Sequence, residues 1–190
     1  VTMSGVLAQP EEFRKAVSAL SAASARDEIE LGPIRPPQKL APYTYAIGAE
    51  VEGADGEHSE ASGRLVLLHD PDGHDAWNGT LRLVAYIQAE LDADTANDPL
   101  LPDVGWTWLL DALVQSGADY TALGGTVTVT SSVRFGDLAG PARTNQLELR
   151  ASWTASTPAL AAHADAFCAA LSSAAGLPPL GVHSLPPRRD

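Results

Sequence analysis

A single cysteine, Cys168, among 190 residues rules out an internal disulfide and any zinc site built on several thiolates. Basic residues are also scarce, with 12 Lys and Arg against 24 Asp and Glu and a formal net charge of -12. They are scattered, so no cationic cluster exists to meet nucleic-acid phosphates, and a nucleic-acid partner is excluded. No apolar run approaches the roughly 20 residues of a membrane-spanning helix, and the opening "VTMSGVLAQPEEF" lacks a charged segment followed by an apolar one. The expectation is a cytoplasmic protein with no membrane partner. The sequence also lacks "GxSxG", "GxxxxGK", "GxGxxG" and "HExxH", which leaves no signature of a nucleophile elbow, a phosphate loop, a dinucleotide fold or a zinc hydrolase.

What is present suffices for one domain. With 45% hydrophobic residues the chain has material for a sizeable core, expected over residues 10–176, with 1–9 as an N-terminal segment and 177–190 as a Pro-rich tail. "PEEFRKAVSALSAASA" reads as a helix, with Pro10 at its first position, Glu11 and Glu12 at its positive end, and Phe13, Val17 and Leu20 on one stripe. "RDEIELGPIRPPQKLAP" carries four prolines and reads as an extended connector, holding at most a short strand at Glu28 to Leu31.

The period then changes to two. Tyr43, Tyr45, Ile47, Ala49 and Val51 alternate with Thr44, Glu50 and Glu52, and "RLVLL" and "TLRLVAYIQAEL" supply two further strands. Glu90 to Asp98 reads as a solvated acidic loop. A helix follows, with Asp103 as N-cap, an apolar stripe of Trp106, Leu109, Leu110 and Leu113, and Gly117 as its stop. "GGTVTVTSSVRF" and "NQLELRASWT" alternate as strands, and a last helix runs from Thr157 as cap and Pro158 to Gly176. The expected class is α+β, a five-stranded antiparallel sheet with its helices on one face, in the order α-β-β-β-α-β-β-α. That order resembles the type III secretion chaperone-like fold, whose members bind other proteins. It is a fold-level analogy.

The densest cluster of chemical groups is "HDPDGHDAW", with two His and three Asp in seven residues. His69, His74 and Asp75 would give zinc three ligands, but their separation across a Pro-Gly turn matches no ligand spacing, and calcium would need a different loop. Asp70-Pro71-Asp72-Gly73 instead suits a type I turn. Acid/base work by Asp70, Asp72, His74 or Asp75 would need burial that a loop tip does not supply. Cys168, following Phe167 with Leu171 close by, reads as a core thiol, and His163 as a surface or interface residue. No catalytic residue, metal or cofactor is assigned.

The blocks "RLVLLHDPDGHDAWNGTLRLV", "DPLLPDVGWTWL", "GGTVTVTSSVRFG", "LELRASWT" and "AAGLPPLGV" occur in an order that resembles the actinobacterial domain of unknown function 3000 family, over roughly Phe13 to Pro187. The resemblance implies a cytoplasmic bacterial protein and brings no activity, cofactor or site residue. One constellation stands apart from it. Arg82, Arg134 and Arg150 fall on the polar phases of their strands, and Arg64 joins them if the hairpin register allows. This Arg-bearing face would bind a protein partner as an adaptor or chaperone-like, non-enzymatic module. Alternatively it lines a pocket for a small carboxylate or phosphate ligand, with or without catalysis, or pairs with Glu148, Glu50 or Glu52 across solvent.

Overall fold

The computed structural model describes residues 8–52, 59–138, 140–141 and 143–180. Most of the expected N-terminal segment and tail, and residues 53–58 of the second hairpin, lie outside that set. The elements are α1 (Glu11–Ser21), β1 (Ile29–Pro33), β2 (Tyr43–Glu52), β3 (Ser59–His74), β4 (Gly79–Leu91), α2 (Ala93–Ala96), α3 (Leu101–Ser116), β5 (Tyr120–Val133), β6 (Arg143–Ala155) and α4 (Ala161–Ala174). The strands form one sheet in the order β1-β2-β3-β4-β6-β5, antiparallel at every pairing. The class is α+β, as the alternation implies.

The sheet has six strands, not five. The additional strand, β1, lies in the proline-rich connector and pairs with β2 from Ile29 opposite Val51 to Pro33 opposite Ile47. Prolines inside a strand argue against pairing only when both sides must bond. β1 is an edge, and its single proline stands at its end.

The odd-numbered phase of β2, β3, β4 and β6 points into the helix layer. Ile47, Leu65, Leu83, Ile87, Leu149 and Trp153 are all buried there, together with Phe13 and Leu20 of α1, Leu109 and Leu113 of α3, and Phe167 and Leu171 of α4. Each such side chain contributes about 1.5–3 kcal/mol by leaving water, which makes this layer the main source of stability. α4 is the innermost helix: eight of its residues are buried, Cys168 among them. No helix among the described residues is long and apolar enough to cross a membrane.

Helix ends differ from expectation by a few residues. α3 begins at Leu101, so Asp103 lies in its first turn rather than at its cap. The acidic run before it is not all loop: Glu90 and Leu91 finish β4, and Asp92 caps the one-turn α2 by accepting from the Thr95 N–H at 2.8 Å. α4 starts at Ala161, three residues after Pro158, while the Thr157 hydroxyl accepts from the Ala159 N–H in the preceding turn. The stops hold. Gly117 adopts φ 73 and lets the Ala118 N–H reach the Leu113 carbonyl at 3.1 Å.

The reversal between β3 and β4 also moves. Asp70 to Gly73 form an irregularity inside β3, where the register shifts between His69 and His74, and the chain turns at Asp75 to Asn78. Asn78, at φ 55, takes the left-handed position that the turn needs.

Candidate functional site

The even-numbered phase of the strands faces away from all the helices. Register places these side chains in rows across the sheet. One row runs Gly48, Arg64, Tyr86, Arg150, Thr126; the next runs Ala46, Val66, Val84, Ser152, Gly124. A cationic and aromatic stripe therefore lies beside a small and apolar one. Alternation alone assigns a residue to a face; only pairing register turns three arginine-bearing strands into rows.

A groove of about 560 Å³ follows these two rows. Ala46, Val66 and Val84 form its floor, and the connector after β1 folds back to wall it with Ile34, Pro37 and Leu40. The wall is anchored where the Ile34 N–H donates to the Ala46 carbonyl at 3.0 Å. Gly48 lets it seat closely, because a β-carbon there would come within 2.7 Å of Ile34 Cγ2 and push that side chain aside. Arg35, Arg64 and Arg150 line the groove, and its lining contains no Asp, Glu, His or Cys. A neighbouring hollow of about 600 Å³ shares Ile34, Arg64 and Tyr86 and continues the concavity toward Glu50 and Gln88.

Tyr86 organises the cations. The Arg64 guanidinium lies 4.8 Å from the ring centroid and that of Arg150 5.3 Å. The Tyr86 hydroxyl donates to Glu148 Oε2 at 2.8 Å, and Arg150 Nε donates to Glu148 Oε1 at 2.6 Å. Those two bonds, Arg150 first, hold the Glu148 carboxyl below its ordinary range; burial, followed by the Glu148 contact, pushes the Tyr86 phenol up. Arg150 bonds Glu148 through Nε and lines the groove, and Arg64 has no hydrogen-bond or ion-pair partner among the described residues.

The four arginines singled out from sequence separate into three situations. Arg64 and Arg150 come together in the groove. Arg82 stands one row beyond and is committed to structure: its guanidinium donates to the Ala122 carbonyl (2.9 Å), Thr154 Oγ1 (3.0 Å) and Ser152 Oγ (2.7 Å), and burial lowers its pKa. These bonds tie β4 to β6 and to the irregular stretch of β5 at Ala122, where φ is 52. Arg134 lies past the end of β5 and donates to the Pro141 carbonyl in the hairpin, away from the groove. The polar phase does not extend to it because pairing stops at Val133 opposite Arg143. Arg35 and Tyr86 were not singled out: Arg35 reaches the groove only through the fold-back of the connector, whereas Tyr86 shares the phase of Arg82 and was legible on that ground.

The histidines do not converge. His69 belongs to the inward phase and is buried between Phe13 and Tyr43; its Nδ1–H donates to the Thr80 carbonyl at 3.0 Å, and Nε2 has no partner among the described residues. His74 stacks on Trp77 at the hairpin tip, with ring centroids 4.9 Å apart. Among the described residues no group of three or more His, Cys, Asp or Glu is placed to hold a metal. His163 is not a surface residue: it is buried at the start of α4 and its Nδ1 accepts from Trp153 Nε1–H at 3.0 Å. Burial, against a small opposing effect of Asp119, lowers its pKa to about 4. Cys168 is likewise buried, and burial raises its thiol to about 11, the opposite of a reactive thiolate.

Fold and site together define an α+β protein whose antiparallel sheet is covered by helices on one face and carries an arginine-lined groove on the other. The chain belongs to the DUF3000 family, described as a protein of unknown function, whose model matches residues 9–183. No curated protein and no solved structure matches it.

Proposed function

We propose that the protein is a non-catalytic interaction module whose open sheet face takes an extended, acidic segment of a partner protein. The segment's carboxylates lie among Arg35, Arg64 and Arg150, and its apolar side chains lie on Ala46, Val66 and Val84. One observation carries this reading: in a chain with twice as many acids as bases, a groove lined by three arginines has no carboxylate in its lining. Guanidinium groups fit carboxylates in a planar, two-pronged geometry, so arginines beside an apolar floor, Arg150 already holding Glu148 through Nε, select an anionic and partly apolar occupant. The lining holds hydroxyls at Tyr86, Thr126 and Ser152 but, among the described residues, no His, Cys, Asp or Glu to activate them, which favours binding over acid/base catalysis. Continuation of the concavity into the second hollow favours an extended chain over a compact ligand.

A cytoplasmic location in an actinobacterial cell belongs to the same proposal, through the family resemblance. The chaperone-like analogy rests on element order alone, now with a sixth strand. A second reading has one observation in its favour: about 560 Å³ is within the range of small-molecule sites, which fits a carboxylate with an apolar body.

The test places a photo-crosslinking residue at Leu40, on the groove's wall and away from β5, in the source cell. The proposal expects a covalent adduct to an acid-rich peptide, lost when Arg64 and Arg150 are both changed to Ala. Absence of a protein adduct, with a rise in Tm caused by amphiphilic carboxylates, would establish the second reading instead. An adduct to a basic peptide would overturn both.

A further inference from the structure

The sheet has two edges, and they are built differently. β1 is five residues long, carries Glu30 and ends in Pro33, features that discourage a further strand. β5 is 14 residues long and, among the described residues, pairs with β6 alone. From Gly124 to Val133 it reads "GGTVTVTSSV", with no charge, no proline and no register shift. Its irregularity is confined to Thr121 to Gly124. An edge of that length leaves alternate N–H and C=O groups open, and none of the usual blocking devices is present along its regular part.

We propose that β5 pairs antiparallel with β5 of a second copy of this chain, joining two six-stranded sheets into one. The side-chain pattern suits that occupant. A two-fold axis through Thr128 sets Val127 opposite Val129 of the copy and Thr126 opposite Thr130 of the copy, so the apolar phase meets the apolar phase on the helix side. Charge does not oppose the pairing: β5 itself carries no Asp, Glu, Lys or Arg, and the charges that flank it, Asp119 before and Arg134 and Asp137 after, fall outside the regular ladder under the same operation. The uncharged middle also lets two chains of net charge -12 approach without placing like charges in the ladder. On the helix side, a shallow hollow of about 320 Å³ between Trp106 and Val127 leaves Trp106 half-buried beside the edge, available to the copy. Pairing uses the edge backbone and requires neither Arg64 nor Arg150, so it stands apart from the proposed function.

The experiment is sedimentation of the purified full chain across a concentration series, beside the double variant Thr126→Lys/Thr130→Lys and the single variant Thr128→Cys. Wild type is expected at twice the chain mass. The lysine pair, on exposed side chains, is expected to give a monomer with unchanged circular dichroism. Mild oxidation is expected to convert Thr128→Cys to a covalent dimer, with Glu30→Cys on the opposite edge as a control that forms no covalent link and runs at the mass of one chain under denaturing conditions; the native Cys168 is buried and does not compete. A wild-type monomer at every concentration would overturn the proposal, including the case in which the edge accepts a strand from a different protein. A dimer that survives the lysine pair, with no disulfide formed through position 128, would overturn it equally.

Discussion

Gly124 and Gly125 are adjacent in β5 and point to opposite faces of the sheet. A β-carbon on Gly124 would meet nothing within 4 Å, while one on Gly125 would lie 2.2 Å from the Arg150 carbonyl oxygen and 2.8 Å from the Trp106 ring. One residue along the chain thus separates a face packed to contact from a face open to a visitor. The covered face is filled by side chains that exclude one another's alternatives, whereas the open face is given its shape by residues that leave room. A local dense patch lies where Ala46, Val66 and Leu68 are screened by Ala41 of the connector and Trp77 of the hairpin.

The largest effects should come from the covered face. Trp153→Ala removes a fully buried indole and leaves His163 Nδ1 without its donor, for an expected loss of about 3–5 kcal/mol in urea unfolding. Gly125→Ala should cost about 1–3 kcal/mol by overpacking, and Gly124→Ala should stay within about 0.5 kcal/mol of wild type; equal losses at the two positions would erase the comparison.

The next effect is pH-dependent. His163 titrates near 4 in the folded protein and near 6.5 in the unfolded chain, so between those values the unfolded state binds more protons and stability falls as pH is lowered. The contribution is fully present above pH 6.5 and amounts to at most about 3 kcal/mol, an upper bound because the ring retains some solvent contact. His163→Gln, which keeps an acceptor for Trp153, should be less stable than wild type at pH 7 and should close that gap toward pH 4. Melting curves at several pH values would decide it, and a gap constant with pH would remove the buried neutral imidazole from the account.

The open face divides again at Arg82. Arg82→Met should lower stability by about 1–3 kcal/mol, since Ser152, Thr154 and the Ala122 carbonyl lose a charged donor. Arg64→Ala, whose guanidinium bonds to no described residue, should change stability by less than about 0.5 kcal/mol while abolishing groove-dependent binding. If Arg64→Ala melts as far below wild type as Arg82→Met, the arginine is structural and the groove loses its principal cation.

How far the sequence revealed this depends on which interaction fixes each feature. Period-two alternation in β2, β4 and β6 is set by burial of one face, so Ile47, Leu83 and Leu149 announce themselves locally. β1 was legible at most as a short strand over Glu28 to Leu31 and did not count among the expected five, because four prolines outweigh Ile29 and Leu31 until an edge position is known to tolerate one at its end. The turn at Asp70 to Gly73 carried the right residues, yet the long β3–β4 ladder continues past it and absorbs them as an irregularity. Face membership of Arg82 and Arg150 was legible, and that of Arg64 only on condition of the hairpin register. Their separation into groove and structural roles was not, because it depends on which neighbours the register supplies: Tyr86 for two of them, Ser152 and Thr154 for the third. Arg35 was hidden for the same reason as the groove itself, since its wall is made by a connector folding back over a distant strand.

The claim that one face maintains the fold and the other meets the partner is tested most directly by hydroxyl-radical footprinting of the protein inside its source cell against the purified chain. The account predicts that Tyr86 is markedly less reactive in the cell, while Leu100 and Val114 on the outer side of α3 react equally in both settings. Equal reactivity of Tyr86 in the two, or protection confined to α3, would contradict it.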